Sequence, residues 1–211
     1  MSNSNYIIKM DNLNAPADQL TDQLSKSQNK NVYSGTNFRV IAGFPYIRSA
    51  SPFAITLSQN TLDFGTLYPT TPVSRAMDLS ISQGSAHGYS IIASQDHPLK
   101  SNSQDIIADT TCDNGACSES EPALWTNTLT FGFGFRCDNL TGTDCSTDFN
   151  QTNFYKQFAD DSRNESAQTI ISSSSIGLKN KSRITYKVNI SGAQKTASYY
   201  NTITYIAIPN F

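Results

Sequence analysis

The chain has 211 residues, with 15 Lys and Arg against 17 Asp and Glu, so its formal net charge is -2 and only 15 % of it is charged. This balance argues against a basic nucleic-acid-binding surface, and the lack of an apolar run of about 18 residues excludes a transmembrane helix. Roughly a third of the chain is Ser, Thr or Asn. That composition favours strands and turns over helices and is typical of an exported protein.

The N-terminal residues predict an arm that is separate from the main domain. MSNSNYIIKM has neither the basic start nor the long apolar core of a signal peptide, so an exported protein would have lost its leader. Alternation over residues 5–10 predicts one strand, and a polar tether follows it, within which residues 15–26 carry a candidate helix. We therefore predict an N-terminal arm with one strand at 1–36 and a β-sandwich domain at 37–211.

Residues 181–191, KSRITYKVNIS, show the clearest strand pattern of the chain. Their apolar residues alternate with polar ones, as in a strand that is buried on one face. This places Ile184, Tyr186, Val188 and Ile190 toward a core, and Arg183, Thr185, Lys187 and Asn189 toward solvent.

Residues 128–137, TLTFGFGFRC, alternate Phe with Gly. The pattern places Phe131, Phe133 and Phe135 on one face of a strand. Gly132 and Gly134 leave the other face bare, which suits the close approach of another sheet or backbone.

Further segments complete the fold prediction. Turn signals recur about every 8–12 residues between them, which is the pattern of a β-sandwich. We predict an all-β protein, an Ig-like or jelly-roll-type antiparallel β-sandwich with disulfide-clasped loops. The additional strands are expected at 37–47, 53–58, 61–67, 73–82, 88–94, 167–175 and 198–208, and a single helical turn at 154–161.

The four cysteines predict two short-range disulfides. Structural zinc sites and thioredoxin-like redox pairs both place two residues between paired cysteines, and neither pair here does. Asp113-Asn114-Gly115 is typical of a tight turn. We therefore favour the pairs Cys112–Cys117 and Cys137–Cys145 over the two other pairings and over four reduced thiols in a cytosolic protein. Disulfides persist in oxidising compartments, so the expected location is extracellular or at the cell surface.

The acidic loop around the first cysteine pair is a candidate calcium site, because calcium prefers several oxygen ligands on an irregular loop. The alternative is a solvated acidic loop without a bound ion. No other cofactor is expected. The candidate ligands are Asp109, Asp113, Asn114, Glu119 and Glu121.

Trp125 is the best candidate for an exposed sugar-binding ring, and the alternative is that it packs in the core beside the Cys112–Cys117 disulfide. Pairs of carboxylates could support glycoside hydrolysis, but each lies in a polar, turn-rich segment where solvation is the simpler explanation. Neither His87 nor His97 has the partners of a nucleophilic catalytic set. We therefore predict no catalytic residue.

Two stretches resemble known surface proteins. TLDFGTLYPTTPVSRAMDLSIS, through Leu62, Asp63, Phe64 and Gly65, resembles the opening of immunoglobulin-like modules in exported bacterial proteins. TYKVNISGAQKTASYYNTITYIAIPNF resembles the closing hairpin of WxL-type cell-surface β-sandwiches and is similar to exported proteins that end in TYxAxPxF. The WxL signature itself is missing. The resemblance implies a surface β-sandwich and no known chemistry.

These observations favour a non-enzymatic extracellular structural or adhesive protein that forms filaments or surface layers. Its expected partners are other copies of itself, cell-surface proteins or glycans. The alternatives are a carbohydrate-binding module, with calcium as a candidate support, and a secreted glycoside hydrolase. The strand at 5–10 needs a sheet to join, either in its own domain or at the open edge of a neighbouring copy.

Overall fold

A computed structural model of the chain describes residues 53–85 and 87–210. The predicted arm at 1–36, the candidate helix at 15–26 and the predicted strand at 37–47 lie outside these residues and stay predictions. Within the described part, no helix is long and apolar enough to cross a membrane.

The described residues form strands joined by turns, and their helices are three single 3₁₀ turns, which confirms the all-β prediction. The 3₁₀ turns are Asp113–Gly115, Thr147–Phe149 and Asp161–Arg163. The strands are β1 Ala54–Leu57, β2 Val73–Gln83, β3 Tyr89–Gln95, β4 Leu99–Ser101, β5 Ile106–Ile107, β6 Ala123–Leu124, β7 Gly132–Thr141, β8 Phe154–Tyr155, β9 Ala159–Asp160, β10 Gln168–Ser173, β11 Lys181–Asn189, β12 Tyr199–Tyr200 and β13 Ile203–Pro209.

Two main sheets enclose the core and make the protein a β-sandwich. The first sheet has the order β1-β2-β11-β7, and the second has the order β10-β3-β13, all antiparallel, with the short β9 running parallel to β3 at its end. Smaller sheets are formed by β12-β4-β5 and by β6-β8. Alternate residues of β2, β3 and β11 point between the two main sheets and are almost fully buried: Met77, Leu79, Ile81, Tyr89, Ile91, Ala93, Ile184, Tyr186 and Val188.

Strand β11 is buried on both faces near its C-terminal end. Ile184, Tyr186 and Val188 enter the core as predicted, but Lys187 and Asn189, which we expected in solvent, are also buried. The loop after β6 covers this second face, where the Asn189 side-chain amide donates to the carbonyl oxygens of Thr128 at 2.9 Å and Thr130 at 2.8 Å. Alternation alone therefore misplaced these two polar side chains.

The glycines of β7 admit neighbouring backbone, as predicted. A Cβ on Gly134 would lie 2.7 Å from the Lys156 carbonyl oxygen, and one on Gly132 would lie 2.6 Å from the Thr110 backbone. Phe133 and Phe135 enter the core, but Phe131 precedes the strand and is 36 % exposed, so its predicted inward position was wrong.

Three local predictions were wrong. Residues 61–67 form no strand, because Asp63 accepts a hydrogen bond from the Gly65 amide at 2.7 Å and Gly65 has a φ of +70°, which turns the chain. Residues 154–161 form β8 and β9 instead of a helical turn, since β8 pairs with β6 and β9 with β3. Residues 198–208 divide into β12 and β13, which join different sheets.

Candidate functional site

Both predicted disulfides are present, Cys112–Cys117 and Cys137–Cys145, so none of the four sulfurs is a free thiol. The first bond closes the 3₁₀ turn at Asp113–Gly115. The second ties β7 to the chain that returns after Gly142, whose φ of +83° makes the turn. The second bond therefore holds irregular chain against the sandwich, and the first holds a loop turn closed.

Trp125 is 1 % exposed, so the hypothesis of an exposed sugar-binding ring is wrong at this position. It packs edge-on against Tyr155, with ring centroids 5.5 Å apart, in a cluster with Cys112 and Cys117. The Lys187 ammonium lies 4.4 Å from the indole centroid and donates to the Trp125 carbonyl oxygen at 2.7 Å. Burial lowers the pKa of Lys187. This cluster stabilises the outer face of the first sheet.

The side chains of the predicted calcium ligands do not converge on one point, and those that are bonded have separate partners. Desolvation raises the pKa of Asp113, but hydrogen bonds from Thr126 and Asn127 outweigh it and hold that pKa below its usual range. Asn114 and Glu121 are exposed, and Glu119 is half-buried. Across the residues that the structure describes, no three His, Cys, Asp or Glu side chains are arranged to hold a metal ion.

Asp109 instead is a buried member of an ionic cluster around the half-exposed Arg163. Its Oδ1 accepts from Gln95 Nε2 at 2.8 Å, and its Oδ2 lies 3.9 Å from Arg163 Nη2. Arg163 also lies 3.0 Å from the buried Asp160 carboxylate and 3.9 Å from Glu165. Burial is the main reason that the pKa of Asp109 rises to about 6. The cluster joins β3, β9 and two loops around the guanidinium of Arg163.

The edges of the two main sheets differ in how they are covered. Beyond β7, the backbone of Ala108–Thr110 and Lys156 pairs with Phe133 and Phe135. Beyond β10, residues 144–146 pair with Ile170 and Ser172. β1 has only four residues. β13 has seven, and within residues 53–85 and 87–210 no strand pairs with its outer edge. Among the main-sheet edges of the described part, it is therefore the one longer than four residues that no other backbone pairs.

The burial of β13 fits a strand with no partner on its outer side among the residues that the structure describes. Its inward residues, Ile203, Tyr205, Ala207 and Pro209, are only half-buried, whereas the inward residues of the adjacent β3 are almost fully buried. On the outer face, Ile206 is 48 % exposed and Ile208 is 41 % exposed. The strand ITYIAIP carries no charged residue.

A groove of about 1160 Å³ opens beside this edge. One wall is the chain from Leu57 to Pro69, and the other is the chain from Ile190 to Tyr205. Core residues of the first sheet form its floor: Met77, Phe133, Tyr186 and Val188. The Tyr205 hydroxyl reaches across the sandwich to the Tyr186 hydroxyl at 2.6 Å. The groove therefore runs between the two sheets, where one more strand beside β13 would cover the half-buried side chains.

The register of β13 tells which backbone groups face this open side. The Asp96 amide donates to the Thr202 carbonyl oxygen at 3.0 Å, and the Asn210 amide donates to the Gly88 carbonyl oxygen at 2.8 Å. Pro209 has no N–H to give to β3. Even-numbered residues therefore bond to β3, and odd-numbered residues direct their backbone outward, since the two alternate along an antiparallel strand. The outward groups are the N–H and C=O of Ile203, Tyr205 and Ala207 and the C=O of Pro209.

Sequence reasoning found β13 as a strand but did not show that its edge is open, because strand order depends on contacts between residues far apart in the chain. The missing charge on ITYIAIP was a visible signal, since exposed edges usually carry charges. No protein-family model, curated protein or solved structure matches the chain.

Proposed function

We propose that this chain is a non-enzymatic extracellular structural protein that associates with other copies of itself by strand pairing at the outer edge of β13. One observation carries the proposal: β13 is an uncharged seven-residue edge that no other described segment covers, and its inward side chains are half-buried beside an open groove. Two disulfides support the extracellular location, because such bonds persist in oxidising compartments.

The physical reason is the cost of leaving such an edge in water. Soluble proteins protect edge strands with charges, bulges, short length or a covering segment, because unpaired N–H and C=O groups recruit other strands. Among residues 53–85 and 87–210, β13 has none of these devices except Pro209 at its end. The six residues before Pro209, ITYIAI, carry no charge and are mostly β-branched, aromatic or apolar, a composition that pairs readily with another strand. A structural protein can use this property for assembly, since strand addition supplies backbone hydrogen bonds and buries apolar side chains together.

Sedimentation velocity over a range of protein concentrations tests the proposal with two substitutions at Ala207. Ala207→Pro removes an outward N–H and leaves the bonds to β3 in place, so the fold should persist as it does at other edge-strand prolines. We expect the dissociation constant for self-association to rise at least about tenfold, the equivalent of roughly 1.4 kcal/mol or one to two lost hydrogen bonds.

Ala207→Val is the matched control, because it adds bulk at the same position and keeps the N–H. It should associate like the unmodified protein. A protein that stays monomeric at all concentrations, or an Ala207→Pro variant that associates as before, would contradict assembly at this edge.

A second candidate function is glycan binding in the groove. Its rim carries Tyr200, which is 53 % exposed, together with polar side chains that include Gln194 and Asn201. Ligand sites typically combine aromatic side chains with a few polar groups. A glycan array, read with and without a chelator, tests this function. Binding that Tyr200→Ala abolishes would favour it, and an array without signal would leave assembly as the better proposal.

A further inference from the structure

We propose that the strand covering β13 is β13 of a second copy, paired antiparallel about a two-fold axis that passes beside Ile206. This inference rests on the proposed function and specifies its geometry. It joins the second sheets of two sandwiches into one continuous sheet and makes a closed dimer, because a two-fold contact uses the same surface on both partners.

The outward backbone groups limit the register to two candidates. In an antiparallel pair, residues that bond must face each other, so outward odd-numbered residues must meet outward odd-numbered residues. Setting Tyr205 opposite the second copy's Ala207 also sets Ile203 opposite the second copy's Pro209. The two Tyr205–Ala207 pairs supply four backbone hydrogen bonds. The two Ile203–Pro209 pairs supply one each, because proline accepts but cannot donate, so the total is about six. Setting Tyr205 opposite the second copy's Tyr205 also gives about six bonds but places Ile206 opposite Thr204, so the side chains decide between these two registers.

The same register brings together the apolar side chains of the outer face. Ile206 lies opposite itself, and Ile208 lies opposite Thr204 of the second copy. Both isoleucines are exposed in the single copy, 48 % and 41 % respectively. Directly opposed β-branched residues on neighbouring strands pack favourably, and the uncharged strand brings no like charges together.

The N-terminal strand predicted at residues 5–10 is a poorer match for this edge. If Tyr6, Ile8 and Met10 faced the groove, then Ile7, Lys9 and Asp11 would lie on the outer face. That arrangement sets Lys9 and Asp11 beside the exposed isoleucines of β13. A second β13 instead offers isoleucine and threonine there.

Cysteine substitutions in the full chain test the register, because the four native cysteines are already paired. Ile206 of one copy and Ile206 of the other form a non-hydrogen-bonded pair, with Cα atoms about 4.5 Å apart. A disulfide can span this distance. We expect Ile206→Cys alone to form a disulfide-linked dimer on non-reducing gels. Thr204→Cys or Ile208→Cys alone should not, but a mixture of the two variants should form a heterodimer.

The outcomes separate this inference from the proposed function. Ile8→Asp, which spoils a donated N-terminal strand, should leave both the association and the Ile206→Cys dimer unchanged. Loss of association in Ile8→Asp would overturn the two-fold pairing and identify the N-terminal strand as the occupant. Association that depends on Ala207 without any Ile206→Cys dimer would also overturn it, while leaving the proposed function standing. A protein that stays monomeric and forms no Ile206→Cys crosslink would contradict both the proposed self-association and the two-fold pairing.

Discussion

The buried carboxyl of Asp109 predicts how the stability of the protein depends on pH. Burial raises its pKa from an ordinary value of 3.8 to about 6 in the folded protein. Since one pKa unit corresponds to about 1.4 kcal/mol, the charged form is disfavoured by about 3 kcal/mol in the folded state relative to the unfolded chain. Between these two pKa values the folded protein binds more protons than the unfolded chain does. The contribution of Asp109 to the free energy of unfolding is therefore fully present below pH 4 and is lost as the pH rises through 6.

Urea denaturation of the unmodified protein and of Asp109→Asn, at pH 7.5 and at pH 5, measures this contribution. Linkage gives a gain of about 1.4 kcal/mol for Asp109 over that interval as the pH falls. Other titrating groups are shared by both proteins, so their effects cancel in the comparison. We expect the stability of the unmodified protein to rise relative to Asp109→Asn by about this amount. Equal pH dependence of the two proteins would show that Asp109 titrates in the folded state as it does in the unfolded chain.

Three further predictions concern packing. Lys187→Met should cost about 1–2 kcal/mol of stability in urea denaturation, because it removes the cation above Trp125 and its hydrogen bond; Lys195→Met, at an exposed lysine, should cost less than about 0.5 kcal/mol. Intact mass without reductant should show no free thiols, and replacing either disulfide with serines should cost about 2 kcal/mol from loop entropy. Gly134→Ala should cost about 1–3 kcal/mol, because its Cβ would meet the Lys156 carbonyl oxygen at 2.7 Å, while Gly192→Ala, with nothing within 4 Å, should be neutral.

The sequence predicted those strands that are buried against one core. Ile184, Tyr186 and Val188 alternate because a strand points successive side chains to opposite faces, and all three are buried. Lys187 and Asn189 follow the same alternation but are also buried, since the loop after β6 covers the second face of β11. A polar residue that is buried with its partners supplied by a distant loop has the same pattern as a solvated one. Alternation therefore reports the period of a strand and not what covers it.

The disulfides and the ionic cluster show that short-range contacts could be predicted from the sequence and long-range contacts could not. Cys112 and Cys117 are close in sequence, so their pairing followed from local turn chemistry. Asp109 was assigned to the same acidic loop, yet its side chain contacts residues from other segments. It accepts a hydrogen bond from Gln95, 14 residues earlier in the chain, and lies near Arg163 in a later loop. The local sequence could not show that these three segments meet. Its acidic character was visible, but the guanidinium that balances it was not.

The distribution of covered edges gives β13 its significance. The backbone of Ala108–Thr110 and Lys156 pairs with part of the outer edge of β7. Residues 144–146 pair with the outer edge of β10. The two disulfides hold irregular chain next to these same covering segments, with Cys112 two residues after Thr110 and Cys145 within 144–146. Cys137–Cys145 therefore attaches one covering segment to β7, whereas Cys112–Cys117 closes a turn next to the other. Because exposed edges without charges recruit other strands, the seven-residue edge of β13, which no segment among residues 53–85 and 87–210 covers, supports the proposal that a second molecule binds there.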